Sequence, residues 1–532
     1  MKRFLYTLFM TIIVIMGIQS CAKYYFRSNY EDTNSLLSAT EKSDVKPYLK
    51  AHLKNGDIYI LKDSWEVDTV TNRVNGTGTQ FNFNREKIQE GDLSIPIDSV
   101  ALFETNEKIV EPHKGRVAAL AFLVGLDVAL GIVCITNPKA CYGSCPTFYI
   151  NEQDDFHYAD AEGFSNAIMP SMEYDDIDAL NTRDIRGKSF SITMKNEALE
   201  THCINEVKLL AIEKGKGERV FQSTGNEFYV CEETFEIHKA RAAEGDVTSL
   251  LQWEDRMERF SLADEKNLNS REEIYLDFIK VNPNTDIGLI LNFRQTLMTT
   301  YLFYSAMGYM GDEAGDIFAK LETDENLRDK LNDGIFKELG EIEIYLWDEG
   351  DKEWKFQDDF SETGPIAINR QFVPLKIKPS GTEVKIKLVL NKGHWRIDYA
   401  ALATIKKRIE PKMIVADSIL NKGLTDNRAL ADIHNPKAHL ISMPGSEYKF
   451  FFTLPEEDKS YELFLYSKGY YLEWMREQWI KDKDLNKLRM MVEHPKKYLK
   501  NEASEYKQYE KTMEQQFWNS KIDTKTFSYY DN

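Results

Sequence analysis

Short stretches in which apolar and polar residues alternate recur along most of this chain. One of them, EIEIYLWDEGDKEWKFQ, spans residues 341–357, and another, GDIYILKDSWEVDTV, spans 56–70. A period of two predicts β-strands that bury one face. Glycines at the ends of such runs, for example Gly76 and Gly393, predict turns between the strands. The chain is therefore predicted to be rich in β-structure.

The predicted fold class is multidomain α+β, because 532 residues are enough for several domains. We expect a small β-barrel-like N-terminal domain, a second β domain, a helical segment, a jelly-roll-like β-sandwich and C-terminal helices. No internal repeat is evident. The predicted bounds are a signal peptide at 1–20, a tether at 21–45, the barrel-like domain at 46–112, an apolar helix at 113–138, the β-rich domain at 139–233, the helical domain at 234–335, the sandwich at 336–470 and a C-terminal helical arm at 471–532.

Two patterns predict the helical domain. The stretch DVTSLLQWEDRMERFSL, residues 246–262, is amphipathic with a helical period. The stretch IGLILNFRQTLMTTYLFYSAMGYM, residues 287–310, is long and apolar. Because Asn292 and Arg294 interrupt it, we expect a buried core helix rather than a membrane span. Residues 170–180, PSMEYDDIDAL, predict a short helix inside the preceding β domain.

The first twenty residues have the parts of an export signal. Lys2 and Arg3 precede a nearly unbroken apolar run that ends at Ile18. The run is short for a transmembrane helix and leads into a cleavage-like site, so it is excluded from the fold.

The residues that follow, Ile18-Gln19-Ser20-Cys21, are similar to the lipobox of bacterial lipoproteins. This resemblance implies that Cys21 is acylated with fatty acids such as palmitate and becomes the N-terminus. Multiple acyl chains would hold the protein stably on a membrane, which we expect to be the bacterial outer membrane. The alternative is an ordinary signal peptide followed by an unmodified cysteine.

The chain is acidic, with a formal net charge of -19. This charge argues against binding of nucleic acid and against adsorption to anionic lipid. The predicted membrane contact is therefore the N-terminal lipid.

Two cysteines, Cys141 and Cys145, lie four residues apart around Gly143. Export places them in an oxidising compartment, where disulfides persist. A disulfide between them is favoured, and reduced structural thiols are the alternative. A metal site ranks last, because zinc prefers four closely spaced ligands and no second cysteine pair or nearby histidine is present. The surrounding CYGSCPTFYI resembles the start of a domain of unknown function in exported bacterial proteins, over residues 139–165. That family implies a β fold and an exported location, and it implies no activity.

An apolar block at 117–135 predicts a helix that is buried in protein or dips into a membrane. Further on, KIKLVLNKGHWRIDYAAL, residues 385–402, resembles the closing strands of galactose-binding-like jelly rolls, and the resemblance extends over 340–405. It makes Trp395 a candidate for ligand binding. Tyr471 and Trp474 are further candidates, since exposed rings bind sugars or peptides. Their helical spacing, however, favours core packing over ligand binding.

No catalytic motif, metal site or cofactor fingerprint is found, so no catalytic residue is predicted. The predicted function is a non-enzymatic binding or assembly role of a lipid-anchored envelope protein, with a protein or glycan partner. The alternatives are a carbohydrate-binding envelope protein and a hydrolase whose residues converge only in space.

Replacing the predicted lipid acceptor, Cys21→Ser, should abolish fatty-acid labelling, because Cys21 is the cysteine that directly follows the cleavage-like site. Metabolic labelling and immunoblotting should show an uncleaved or mislocalised precursor. Labelling that persists in the variant would contradict the anchor prediction.

Overall fold

The computed structural model describes residues 24–30, 49–53, 58–61, 65–81, 87–109, 145–150, 159–180, 188–198, 200–360, 364–442, 445–473, 479 and 482–519. The predicted signal peptide, the lipid acceptor Cys21 and the apolar helix at 113–138 lie outside these residues, and they stay predictions.

In the described residues, strands far outnumber helices. In chain order the strands are β1 (Tyr24–Tyr30), β2 (Leu49–Leu53), β3 (Ile58–Leu61), β4 (Glu66–Asp68), β5 (Arg73–Phe81), β6 (Lys87–Pro96), β7 (Val100–Ile109), β8 (Thr147–Tyr149), β9 (Ala161–Glu162), β10 (Tyr174–Ala179), β11 (Ser189–Lys195), β12 (Glu200–Glu213), β13 (Arg219–Gln222), β14 (Phe228–Glu236), β15 (Lys239–Ala242), β16 (Gly245–Asp246), β17 (Arg259–Phe260), β18 (Arg271–Phe278), β19 (Ile287–Gln295), β20 (Ile342–Asp348), β21 (Glu353–Phe360), β22 (Asn369–Pro374), β23 (Val384–Asn391), β24 (Trp395–Ile409), β25 (Lys412–Val415), β26 (Ser418–Asn421), β27 (Leu424–Thr425), β28 (Leu440–Ser442), β29 (Glu447–Thr453) and β30 (Tyr461–Glu473). The α-helices are α1 (Thr248–Leu251), α2 (Met298–Met310), α3 (Ala314–Thr323), α4 (Glu325–Leu331), α5 (Lys337–Leu339), α6 (Asn427–Ile433), α7 (Leu485–Glu493) and α8 (Pro495–Asn519). Short 3-10 or π turns lie at Ile97–Ser99, Pro170–Met172, Gly311–Glu313 and Asn332–Phe336.

The N-terminal strands form one barrel-like antiparallel sheet. Its order is β1-β7-β2-β3-β5-β4, and β6 pairs with the other edge of β5. Trp65, Val74 and Phe103 are among the buried residues that fill its interior. The alternation over 46–112 therefore buries one face of a curved sheet, as its period of two predicts.

Two sheets packed face to face form the first sandwich. One has the order β10-β30-β12-β25, with β28 also paired to β12, and the other has the order β27-β26-β29-β11-β8-β9. Leu209 and Leu463 from one sheet share a buried core with Ile192 and Phe450 from the other.

The second sandwich is built in the same way. Its sheets have the orders β13-β14-β24-β19-β22, with β17 paired to β24, and β16-β15-β18-β23-β20-β21. Leu289 and Leu291 from the first of these sheets pack in one core with Ile386 and Leu388 from the second.

The two sandwiches share one spatial arrangement of strands, with a permuted chain order, although no sequence repeat is evident. The central strand β12 lies between β30 and β25, and the central strand β24 lies between β19 and β14. The six-stranded sheets also correspond strand for strand. The first sandwich combines β8–β12 with β25–β30, and the strands between them build the second. The second sandwich is therefore inserted within the first.

A buried polar residue marks the same place in both central strands. The pairing register shifts at Asn205 in β12 and at Asp398 in β24, so each of these residues occupies a β-bulge. Asn205 donates hydrogen bonds to the carbonyl oxygens of Pro436 and Ala438 at 3.0 and 2.9 Å. Asp398 accepts a hydrogen bond from the Arg256 backbone N–H. In each sandwich the bulge thus holds the loop that follows its short helix.

The longer helices pack together on the sandwiches. The Tyr301 hydroxyl on α2 donates to Glu502 on α8 at 2.7 Å, and the Tyr309 and Tyr498 hydroxyls lie 3.2 Å apart. The predicted C-terminal arm is helical, and its residues Leu499 and Ala503 are fully buried in this packing. Among the described helices, none combines the length and the apolar character needed to cross a membrane.

The helical prediction for 234–335 is wrong in its first part. Apart from the four-residue α1, helix in this segment begins only at Met298, and the apolar run before it forms the strand β19. All nine residues of β19 are buried, because both faces of this strand are covered. A strand buried on both sides has no alternation, and periodicity alone does not separate it from a buried helix. Residues 174–179, predicted as helix, likewise form β10.

The predicted boundaries at 233 and 336 also do not follow the strand pairing. β20–β24 belong to the second sandwich and β25–β30 to the first, so the predicted sandwich at 336–470 is divided between them. In the predicted tether, residues 24–30 pair with β7. Their aromatic-rich sequence, YYFRSNY, favours a strand.

Asp398 generates a pH-dependent prediction. Burial raises the pKa of its carboxyl group to about 7, well above its value of about 3.9 in an unfolded chain. Between about pH 4 and pH 7 the folded state binds more protons than the unfolded state, so stability falls as pH rises. Asp398→Asn gives this bulge the same amide side chain that Asn205 supplies in the first sandwich. The effect of the substitution on the free energy of unfolding should be more stabilising at about pH 8 than at about pH 5, by about 1–3 kcal/mol.

Urea unfolding at the two pH values measures this difference. The control is Glu265→Gln, which removes an exposed acid that is not among the charges raising the pKa of Asp398. Equal effects of Asp398→Asn at both pH values would contradict the assignment.

Candidate functional site

The predicted cysteine pair is described only in part. Cys145 is buried directly before β8, and Cys141 lies outside the described residues. The disulfide therefore stays a prediction. The same holds for Trp474, which is also outside the described residues.

Trp395 is a core residue, which corrects its prediction as a ligand-binding residue. Its side chain is 2% exposed at the start of β24. It packs edge to face on Phe293, with ring centroids 5.6 Å apart, and its ring centroid is 4.5 Å from that of His394. Alternation along β24 turns this ring inward, so a ligand in solvent does not reach it.

Tyr471 is also buried, at 7% exposure, and its prediction as a ligand-binding residue is corrected in the same way. The hydroxyl donates to the Ser165 carbonyl oxygen at 3.1 Å. Burial raises the pKa of Tyr471 well above its ordinary value. Both features are those of a tyrosine that packs two parts of the fold together.

A buried acidic cluster lies beside Tyr471 on the same sheet. His202 Nε2 lies 2.8 Å from Glu200 Oε1, and Glu200 is directly opposite Glu473 on β30. Both Glu200 and His202 are 0% exposed. A general acid or base must contact its substrate, so this cluster does not form an accessible catalytic site in the described structure. No group of metal-ligating side chains occurs among the described residues.

The outer surface of β18, β20 and β21 carries a group of aromatic side chains in contact with one another, here called the aromatic face. Alternation in β20 buries Ile344 and Leu346 and turns the residues between them outward. The members of the aromatic face are Tyr275, Tyr345, Trp347, Trp354 and Phe356.

Strand register brings these rings together. Trp347 is directly opposite Trp354, and Tyr345 is directly opposite Phe356. The ring centroids are 5.4 Å apart in the first pair and 5.6 Å apart in the second, and both pairs are edge to face. Tyr275 on β18 reaches Trp354 at 5.8 Å. Phe356 is 48% exposed, so the group is open to solvent.

Lys387 occupies the middle of the aromatic face. Its Nζ lies 4.9 Å from the ring centroid of Tyr345 and 5.5 Å from that of Trp354, which are cation–π distances. The same ammonium lies 3.3 Å from Glu273. The lysine therefore contacts rings of β20 and β21 and an acid of β18, and it keeps a charged donor at the surface.

The tyrosine hydroxyls are fixed by neighbouring acids. Tyr345 donates to Glu343 at 2.7 Å, and Tyr275 donates to Glu273. The hydrogen bond to Glu343 raises the pKa of Tyr345 to about 12. At neutral pH these tyrosines are therefore neutral donors, and the carboxylates beside them accept their hydrogen bonds.

The cations of this surface are balanced by acids of the same surface. The ion pairs, all between 2.7 and 3.4 Å, are Lys387–Glu273, Lys385–Glu349, Lys376–Asp358, Lys355–Asp348 and Arg241–Asp277. The aromatic face therefore combines apolar rings with many charged donors and acceptors and has no cationic excess.

The matching sheet of the first sandwich differs in chemistry. On the side of β8 and β11 away from the core, Thr147 and Thr193 are at most 1% exposed and Tyr149 is half-buried, whereas β29 carries the half-buried Lys449 and Phe451. Part of this sheet's outer side is therefore covered by other parts of the chain, whereas Phe356 of the aromatic face is 48% exposed.

Sequence analysis predicted the strands of this site but not the site. The stretch EIEIYLWDEGDKEWKFQ places aromatic residues two apart on each side of a Gly-containing turn. A hairpin closed at that turn sets Trp347 opposite Trp354. This symmetry is the signal in the sequence that locates the aromatic pairs. The contribution of β18 is not visible locally, because Tyr275 is distant in the chain.

Comparisons with known proteins add little. The chain matches no protein-family model and no curated protein. Among solved structures it aligns with one of allantoicase at 10% identity and a TM-score of 0.17, covering 50% of this chain and 92% of that chain. Similarity at this level identifies neither the fold nor the activity of this protein.

The exposed and buried tryptophans should respond differently to truncation. Trp395→Ala empties a core position and should lower the free energy of unfolding by about 3–5 kcal/mol. Trp354→Ala removes a partly exposed ring and should lower it by about 1 kcal/mol. Urea unfolding of both variants measures the contrast. Equal losses would show that the aromatic face is packed as a core.

Proposed function

We propose that this protein is an exported, lipid-anchored binding protein of the bacterial cell envelope and that its ligand is a neutral glycan. The observation that carries the proposal is the aromatic face, an exposed set of rings with charged hydrogen-bonding groups between them. Its function is binding, and no catalytic step is assigned.

A sugar ring fits both components of this surface. It has an apolar face of C–H groups, which packs on aromatic rings, and an edge of hydroxyl groups, which donate and accept hydrogen bonds. Phe356 offers the most exposed ring. Lys387, Glu273 and Glu343 supply charged donors and acceptors at the ring edges, and such hydrogen bonds are stronger than neutral ones.

The charge balance favours a neutral ligand. Each of the lysines named above already has an acidic partner, so the aromatic face has no cationic excess to attract an anion. The chain as a whole carries a net charge of -19, and its field repels acidic polysaccharides. A neutral polyhydroxyl ligand needs no cationic excess for binding, and the negative field of the chain does not repel it.

The shape favours a chain of sugars over a single one. The rings extend across the paired strands β18, β23, β20 and β21, a width of roughly 14 Å at the usual strand spacing. An open surface of this width contacts several sugar units, each weakly. On an envelope that displays many copies of the protein, such weak contacts add through multivalency.

The export signal and Cys21 support the location. A lipid on Cys21 would hold the aromatic face within reach of envelope glycans, and the outer membrane is the expected site. The proposed partners are the membrane, through this lipid, and the glycan. The acidic surface is unsuited to nucleic acid.

Binding to polysaccharides tests the proposal. Affinity electrophoresis of the purified full chain through gels containing neutral glucans, mannans and galactans should show retardation by one of them. The double variant Trp354→Ala with Phe356→Ala should weaken binding roughly tenfold or more, which corresponds to about 1.4 kcal/mol. The anionic polysaccharide alginate should cause no retardation.

A matched control lies on the other sandwich. Phe451→Ala removes an outward ring from the topologically equivalent sheet and should leave the retardation unchanged. Undiminished binding by the double variant would assign the ligand to another surface, and retention by alginate alone would contradict a neutral ligand.

A further inference from the structure

A second surface is built with its apolar side chains outward. Residues 253–262, WEDRMERFSL, connect α1 to β17 and continue beyond it, and they are here called the apolar loop. Its large apolar side chains are exposed: Trp253 by 53%, Met257 by 59%, Phe260 by 43% and Leu262 by 41%. Four large exposed apolar side chains on one short segment are an informative departure from a normal protein surface.

Three charged side chains of the apolar loop, those of Glu254, Glu258 and Arg259, point inward instead. Glu258 forms a two-pronged ion pair with Arg294, at 2.5 and 2.7 Å, and both side chains are at most 5% exposed. Glu254 lies 2.9 Å from Arg370.

Arg259 continues this pattern at the end of the loop. It is 1% exposed and binds Glu272 through two hydrogen bonds of 2.8 Å. Breaking such buried pairs is costly, because it leaves an uncompensated charge. The ion pairs therefore hold the loop against the second sandwich in one orientation, with the apolar side chains outward.

The matching loop of the first sandwich shows that the topology does not require this arrangement. Between α6 and β28 the exposed residues are His434, Asn435, Pro436 and Lys437. The exposed apolar side chains are thus specific to the second sandwich.

Charge and area indicate what this surface contacts. The two exposed charged residues of the loop, Asp255 and Arg256, have opposite signs, so the patch is neutral on a strongly acidic chain. A second copy of the chain would bring a further net charge of -19 and repel the first. Four partly exposed side chains offer on the order of a few hundred Å², less than the roughly 800 Å² per partner of a stable protein interface.

We propose that the apolar loop inserts into the interfacial region of a lipid bilayer of low net charge. Tryptophan prefers this region, and methionine, phenylalanine and leucine enter the adjoining acyl layer. A bilayer needs no complementary shape, so a small apolar patch is sufficient. The contact is separate from the N-terminal lipid and does not depend on it.

A fluorescent reporter in the full chain tests this contact. An environment-sensitive unnatural amino acid replaces Met257 in one protein and Leu424, which is 76% exposed, in the control. Each protein is reconstituted with vesicles of phosphatidylcholine and phosphatidylethanolamine that contain a lipid-borne quencher. We expect a blue shift at position 257 and quenching roughly fivefold stronger than at position 424.

Further variants separate this contact from the lipid anchor. Trp253→Ser with Phe260→Ser should abolish the quenching at position 257 while a lipid-anchored chain still floats with the vesicles. If Cys21 carries no lipid, flotation weakens but quenching at position 257 persists at high vesicle concentration. Equal quenching at positions 257 and 424, or none at position 257, would overturn the proposal, and a photo-crosslink from position 257 to a protein in cells would reassign the surface to a protein partner.

Discussion

The pairing of β12 with β30 is the constraint on which the rest of the structure depends. These strands match over residues 200–213 and 461–473, and they form the centre of the first sandwich. Everything between them, including the second sandwich, must fold so that these two segments meet. The linkers between the two sandwiches, residues 214–218 and 410–411, are short, so the second sandwich stays close to the first. Such distant pairing raises contact order and slows folding.

Because the same strand arrangement occurs in both sandwiches, features common to both can be distinguished from surface features that only one of them has. Both sandwiches keep a long central strand, a bulge with a buried polar residue and a loop held by that residue. They differ on the outer side of the six-stranded sheet and on the loop after the short helix. The aromatic face and the apolar loop both belong to the second sandwich. Specialised surface chemistry is therefore concentrated in the inserted unit.

Much of this architecture follows from local sequence, and the remainder follows from contacts that no short window contains. The hairpin of β20 and β21 was predictable because alternation and a Gly turn coincide there. β19 was not, because burial on both faces removes alternation. The assignment of β25–β30 to the first sandwich depends on partners such as β11 and β12, which lie more than two hundred residues earlier. In the apolar loop, the sequence shows acids and arginines beside apolar residues, and only the ion pairs with Arg294 and Arg370 reveal which set points inward.

The insertion also has a consequence for synthesis and export. After β12 emerges from a ribosome, roughly 250 further residues must follow before β30 is available. At 5–20 residues per second this delay is roughly 10–50 s. During that time the first sandwich lacks its central partner strand and does not close. If the chain is exported as proposed, this delay would keep the first sandwich extended long enough to pass through a translocation channel.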